Sequence, residues 1–238
     1  NSIPSFKRGN LVEMVFDELR ERILDGTYAA DELMPTQEVL AKQFGVSRTV
    51  LREAFNKLSS LGLIRSYQGR GTIVQTPDMS TVMRPMLAAF KLDASITCEL
   101  METRYALEAS VARLAAKNSN EEQVGKLRTI IESMEEGFRE ADIDVIAEAD
   151  YAFHMQLAEM SKNRVLKQII DVIREILVRF LKDVNQLPGT VERAILFHER
   201  ICDAVERKDP DLAEKFMREH MTDVLNTLSK ELQIDVEI

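Results

Sequence analysis

Apolar residues at positions 11, 12, 15, 16, 19, 23 and 24 recur at helical spacing and predict an amphipathic helix over Leu11–Leu24, ended by Gly26. Thr36 can cap a second short helix, Gln37–Phe44. Gly45 can then take a left-handed C′ conformation and Ser47 can cap a third helix, so the chain turns sharply between the two. Val50, Leu51, Ala54, Phe55 and Leu58 make the inward stripe of that third helix, which Gly62 ends. The pattern then changes. Leu63–Tyr67 and Thr72–Gln75 read as short strands joined by Gln-Gly-Arg-Gly, where Gly69 and Gly71 supply the backbone angles of a tight hairpin. A helix-turn-helix followed by a hairpin is a winged helix-turn-helix, expected here for residues 1–76.

After a linker at 77–83 the pattern is helical to the end. A short helix is expected from Pro85 to Leu92, then a long one over Ile96–Ala116. Ser119 and Glu122 have the spacing of a capping box for a helix reaching Arg139. Ile143–Met160, Val165–Val184 and Val191–Arg207 follow, and Asp209-Pro210 opens a last helix to Leu232. Residues 84–238 therefore predict an all-α antiparallel helical bundle, and the fold class is mainly α.

Charge separates the two parts. Residues 1–77 carry ten Lys and Arg against nine Asp and Glu, whereas the remainder carries 21 against 31, so the first part is about neutral and the second is near −10. Between Val39 and Pro77 six basic residues face a single acid, Glu53. A basic patch on an acidic chain is the footprint of a nucleic-acid surface. Arg48, Thr49 and Arg52 fall on the first turns of the third helix, where a helix entering a major groove reaches bases and phosphates, and Arg70 sits at the hairpin tip. No run approaches the ~20 apolar residues of a membrane span, and the start lacks a signal-peptide pattern, so no membrane partner and a cytoplasmic location are expected. Cys98 and Cys202 are far apart with no CxxC spacing, which argues against a disulfide framework and for buried apolar roles.

Leu33-Met34-Pro35-Thr36, Leu40-Ala41, Phe44-Gly45-Val46-Ser47-Arg48-Thr49, Leu51-Arg52-Glu53-Ala54, Leu58, Gly62-Leu63-Ile64 and Gly69-Arg70-Gly71-Thr72 together resemble the winged helix of the GntR family of bacterial transcription regulators. The resemblance spans residues 10–75 and implies DNA contacts from Ser47, Arg48, Thr49 and Arg52, with the wing glycine at Gly69. One position departs from it: many members carry Arg where this chain has Glu38.

All three histidines, His154, His198 and His220, lie in the bundle. Asp150 precedes His154 by four residues, so the two share a helix face, and His198 and His220 lie mid-way along the last two helices. Three imidazoles and a carboxylate suit a borderline cation, most readily zinc, with nickel or manganese as alternatives; on spacing alone, hydrogen-bonded packing residues explain the pattern as well. Arg104-x-x-x-Glu108, Asp150-x-x-Phe153-His154, Asn163, His198-Glu199 and His220 resemble the FCD effector domain of the FadR-like branch of that family, over residues 80–230. This resemblance implies that Asp150, His154, His198 and His220 are the metal ligands. Arg104 is then placed to hold the carboxylate of a small organic acid, the alternative being a surface ion pair with Glu108. Asn163 can reach the same pocket or cap the helix that starts at Arg164.

The expected function is a ligand-responsive regulator that binds a palindromic operator in double-stranded DNA as a homodimer and answers to a small organic acid. Two other functions share the residues: a regulator for which the metal itself is the signal, and a metalloenzyme fused to a DNA-binding domain. The second is disfavoured, because a four-ligand set is less open than catalytic three-ligand sites.

Overall fold

A computed structural model describes residues 8–75 and 94–232, with Met83 between them. The helix expected from Pro85 to Leu92 and the linker at 77–83, Met83 apart, lie outside the described residues. The chain divides into two compact units, Asn1–Pro85 and Met86–Ile238.

In the first unit, α1 (Arg8–Leu24), α2 (Gln37–Phe44) and α3 (Arg48–Ser60) precede the antiparallel strands β1 (Ile64–Tyr67) and β2 (Gly71–Val74). The caps form as the residue types dictate. Thr36 Oγ1 accepts from the Val39 N–H at 3.3 Å, and Ser47 Oγ accepts from Val50 at 3.3 Å. Between them Gly45 closes α2 in the left-handed conformation, φ 65°. Leu19, Leu40, Leu51, Ala54 and Leu58 are fully buried, and the strands close over this core with Ile64 opposite Val74.

The strand pairing extends further than the sequence suggests. Leu33 bridges Ile73, and the Met34 N–H donates to the Thr72 carbonyl at 2.8 Å, so the segment before α2 lines the hairpin as a third edge. The backbone angle explains Gly71. Its φ is +99°, and a Cβ there would lie 2.9 Å from Leu33 Cδ1.

The second unit contains α4 (Ala94–Asn118), α5 (Glu121–Glu140), α6 (Ile143–Met160), α7 (Arg164–Asn185), α8 (Thr190–Glu206) and α9 (Pro210–Leu232). Short connections lay α5 on α6, α6 on α7 and α8 on α9, whereas α4 packs chiefly on the distant α9. Asp142, Asn163 and Asp209 accept backbone N–H groups at the starts of α6, α7 and α9. The capping box of α5 is one residue later than expected. Asn120 and Gln123 form it, because the Ser119 hydroxyl donates inward to the Ala116 and Val205 carbonyls, while Glu122 pairs with Lys126.

Helix α4 packs against α6, α7, α8 and α9. Its small buried residues, Ala109, Ala112, Ala115 and Ala116, allow that close approach from several sides. Any polar side chain on its inward face is therefore surrounded by helices. Cys98 and Cys202 are both buried and unbridged, and burial pushes the Cys202 thiol up to about 11. Among the described residues no helix is long and apolar enough to cross a membrane.

Candidate functional site

On the first unit, α3 presents Arg48 and Arg52 to solvent, with Thr49 half-buried beside them and Ser47 at the cap. The opposite face is held down by Val50, Leu51, Ala54, Phe55 and Leu58. Gly69 and Arg70 are exposed in the turn between β1 and β2, where Gly69 has φ +75° and the Arg70 N–H donates to the Tyr67 carbonyl at 3.2 Å. Glu38 adds a feature of its own. Its carboxylate lies 2.7 Å from Nη2 of Arg48 and 3.6 Å from Nζ of Lys42, so the unusual acid on α2 engages the first arginine of α3.

Both partners of the Glu38–Arg48 pair are exposed, and such pairs add little stability. Glu38→Ala is therefore expected to leave the melting temperature unchanged. It removes a negative charge that repels phosphate and releases Arg48, so duplex affinity rises by up to about fivefold. Fluorescence anisotropy at fixed salt checks this.

In the bundle, five helices bring seven ionisable side chains together. Asp150 and His154 come from one face of α6, His198 from α8 and His220 from α9; one donor atom of each lies within 4.8 Å of the others. The three imidazole centroids are 5.0 to 5.5 Å apart. Nε2 of both His154 and His198 stands 3.7 Å from Asp150 Oδ1. His198 also stacks on Phe153, with centroids 3.8 Å apart.

Arg104 and Glu108, one turn apart on α4, line the same cluster, with Arg104 Nε donating to Glu108 Oε1 at 2.7 Å. Both are 2% exposed, so this is not a surface pair. Glu108 Oε2 closely contacts Nδ1 of His154. A carboxylate on one imidazole nitrogen leaves the other free to act as a ligand. Asn163 is placed elsewhere: its side-chain oxygen accepts from the Val165 and Leu166 N–H groups, both at 3.1 Å, at the start of α7.

The residue that sequence reasoning missed is Arg174 on α7. It is 1% exposed, and its Nη2 donates to Asp150 Oδ2 at 2.5 Å, opposite the oxygen that faces the imidazoles. One signal was available, because Arg174 lies four residues after Ile170 and three before Leu177, on the stripe that α7 buries.

The electrostatics favour a cation. Burial lowers the basicity of all three imidazoles, with His220 pulled down to about 3 and His198 well below its usual value, so the rings are neutral donors. Burial also opposes ionisation of Asp150, but nearby positive charge, led by the guanidinium of Arg174, outweighs it and holds the carboxyl well below the usual range. Neither nitrogen of His198 has a hydrogen-bond partner, nor does Nδ1 of His220. Buried polar atoms without partners are uncommon, and a metal ligand set accounts for them. The residues present therefore fit a divalent transition metal.

The same depressions set a pH dependence. Histidines that stay neutral in the fold but bind protons from about 6.5 downward when unfolded stabilise the protein above that pH, and this contribution is lost on acidification toward about 3. Denaturant midpoints of chelator-treated protein are expected to fall steadily from about pH 7 to about pH 5. A flat profile contradicts neutral buried rings.

A winged helix with exposed arginines, carried with an all-α unit that buries a donor cluster, defines a DNA-binding regulator in two parts. The chain belongs to the GntR family of bacterial regulatory proteins: that family's model matches residues 11–74, and the FCD domain matches residues 99–223. It is 30% identical to the HTH-type transcriptional regulator LutR of Bacillus subtilis, over 90% of this chain and all of that one. It is also 30% identical to an Escherichia coli protein provisionally named an L-lactate dehydrogenase operon regulatory protein, over 92% of this chain and 87% of that one. The fold is similar to that of a solved Streptococcus agalactiae GntR structure, with a TM-score of 0.75, 24% identity, and coverage of 90% of this chain and 99% of that one. The protein is a DNA-binding transcription regulator and not an enzyme.

Proposed function

We propose that this regulator holds a divalent transition metal, zinc in the first instance, on Asp150, His154, His198 and His220, and that a small organic acid bound beside it modulates operator affinity. The observation that carries this is the donor cluster itself, four buried or half-buried ligand atoms within 4.8 Å of one another, with His198 unpartnered at both ring nitrogens. The cation supplies positive charge for a carboxylate. Arg104 supplies a planar donor fork, and its burial strengthens every charge-assisted bond it makes. The name of the Escherichia coli relative refers to the metabolism of one such acid, which supports the class of effector.

Arg48, Thr49 and Arg52 then read the major groove from a helix that Ser47 starts, while Gly69 and Arg70 on the wing approach the backbone or the minor groove. The DNA-binding part ends at 76 and the effector part begins at 84. Two copies on a two-fold axis match the half-sites of a palindromic operator in the cytoplasm. The acid can act only through different affinities for the DNA-competent and incompetent forms of the dimer.

Metal analysis of purified protein, followed by thermal-shift titration of the zinc-loaded form with small organic acids, tests the reading. Stoichiometric metal and a melting temperature that rises with acid concentration are expected. Protein that takes up no zinc contradicts it.

A further inference from the structure

The charges buried around the three imidazoles balance before any ligand arrives. Arg104 and Arg174 contribute two positive charges, and Glu108 and Asp150 contribute two negative ones. A divalent cation on the proposed ligands leaves this cluster with two uncompensated positive charges. Buried charge of that kind must be matched. A monocarboxylate matches half of it.

The hydrogen-bond inventory agrees. A guanidinium offers five N–H donors. Among the described residues, Arg104 bonds to Glu108 through Nε and reaches only the thioether of Met101 through Nη1, at 3.4 Å. Arg174 commits Nη2 to Asp150, while its Nε and Nη1 have no hydrogen-bond partner although the side chain is buried. Nη1 of Arg174 and Nε of Arg104 approach the same oxygen, Glu108 Oε1, at 3.8 and 2.7 Å, so the two forks lie side by side. The cluster therefore has two cationic donor groups with unused capacity, not one.

We infer that the effector pocket selects acids bearing two carboxylates, with the metal and Arg104 engaging one carboxylate and Arg174 anchoring the second. The inference rests on the metal-and-acid reading above and adds the charge of the ligand and the role of Arg174. Arg174 acts on the ligand directly, through Nε and Nη1, and through Asp150, whose outer oxygen it fixes.

Calorimetric titration of zinc-loaded full-length protein tests it, with zinc content measured on each sample. Malonate and succinate are compared with propanoate and butyrate. The dicarboxylates are expected to bind at least about tenfold more tightly than the monocarboxylates of equal carbon number. In Arg174→Gln that retains zinc, this preference collapses, because dicarboxylate affinity falls much further than monocarboxylate affinity; in Arg174→Lys part of the preference survives. Should Arg174→Gln lose its fold or its zinc, the wild-type comparison still decides. Equal affinity for the two acid series in zinc-loaded wild type, binding of neither series, or an intact preference in zinc-loaded Arg174→Gln overturns the inference while the metal site stands. Failure of the wild type to hold zinc overturns the underlying reading and this inference with it.

Discussion

His198→Ala is expected to purify without its cation. The imidazole is fully buried, its Nε2 stands 3.7 Å from Asp150 Oδ1, and neither ring nitrogen bonds to any protein group. Losing a residue that only orients a ligand typically weakens metal binding by about 10- to 100-fold, so losing a ligand outright should exceed that. Metal content by elemental analysis falls from stoichiometric to near background. The stack on Phe153 raises a second explanation, collapse of packing around the ring, with centroids 3.8 Å apart. Phe153→Leu separates the two, since it disturbs the stack while leaving the donor in place, and it should retain the metal. Wild-type metal content in His198→Ala would remove His198 from the ligand set.

Arg52→Ala is expected to weaken selective operator binding strongly and to leave zinc and acid binding intact. Arg52 is exposed on the outward face of α3, whereas its neighbours Leu51, Ala54 and Phe55 are buried, so truncation removes a contact without touching the core. Loss of an arginine that reads a base costs about 1–3 kcal/mol, roughly 5- to 150-fold in affinity, and flattens specificity at that position. Titrations at several salt concentrations tell the two kinds of contact apart. A phosphate contact lowers the salt slope by about one unit, and a base contact leaves the slope nearly unchanged. Parallel loss of zinc binding would show that the substitution damages the fold.

Much of this architecture is written locally in the chain. Thr36, Gly45 and Ser47 are cap residues whose chemistry acts within three or four positions, so the turn between α2 and α3 is legible without tertiary information. The same holds for Asp150 and His154, one helical turn apart. Features set by distant partners were not legible in this way. Ser119 looks like a cap, but the Val205 carbonyl, 86 positions away, draws its hydroxyl inward and leaves capping to Asn120. Leu33 joins the wing through a backbone bridge to Ile73, a partner far along the chain. Arg174 sits in a helix rich in charged residues, most of which read as a solvated face. Only its phase relative to Ile170 and Leu177 marks it as buried. Glu108 reads as a partner for Arg104, and its second oxygen proves to contact His154 on another helix.

The central claim is that occupancy of the buried site in the bundle changes how strongly the winged helix holds DNA. Operator affinity of full-length protein, measured at one salt concentration with zinc or chelator and with or without a binding acid, tests it most directly. Acid is expected to shift affinity by about 5- to 150-fold when zinc is present and to have no effect after chelation. Identical operator affinity in all four conditions would contradict it.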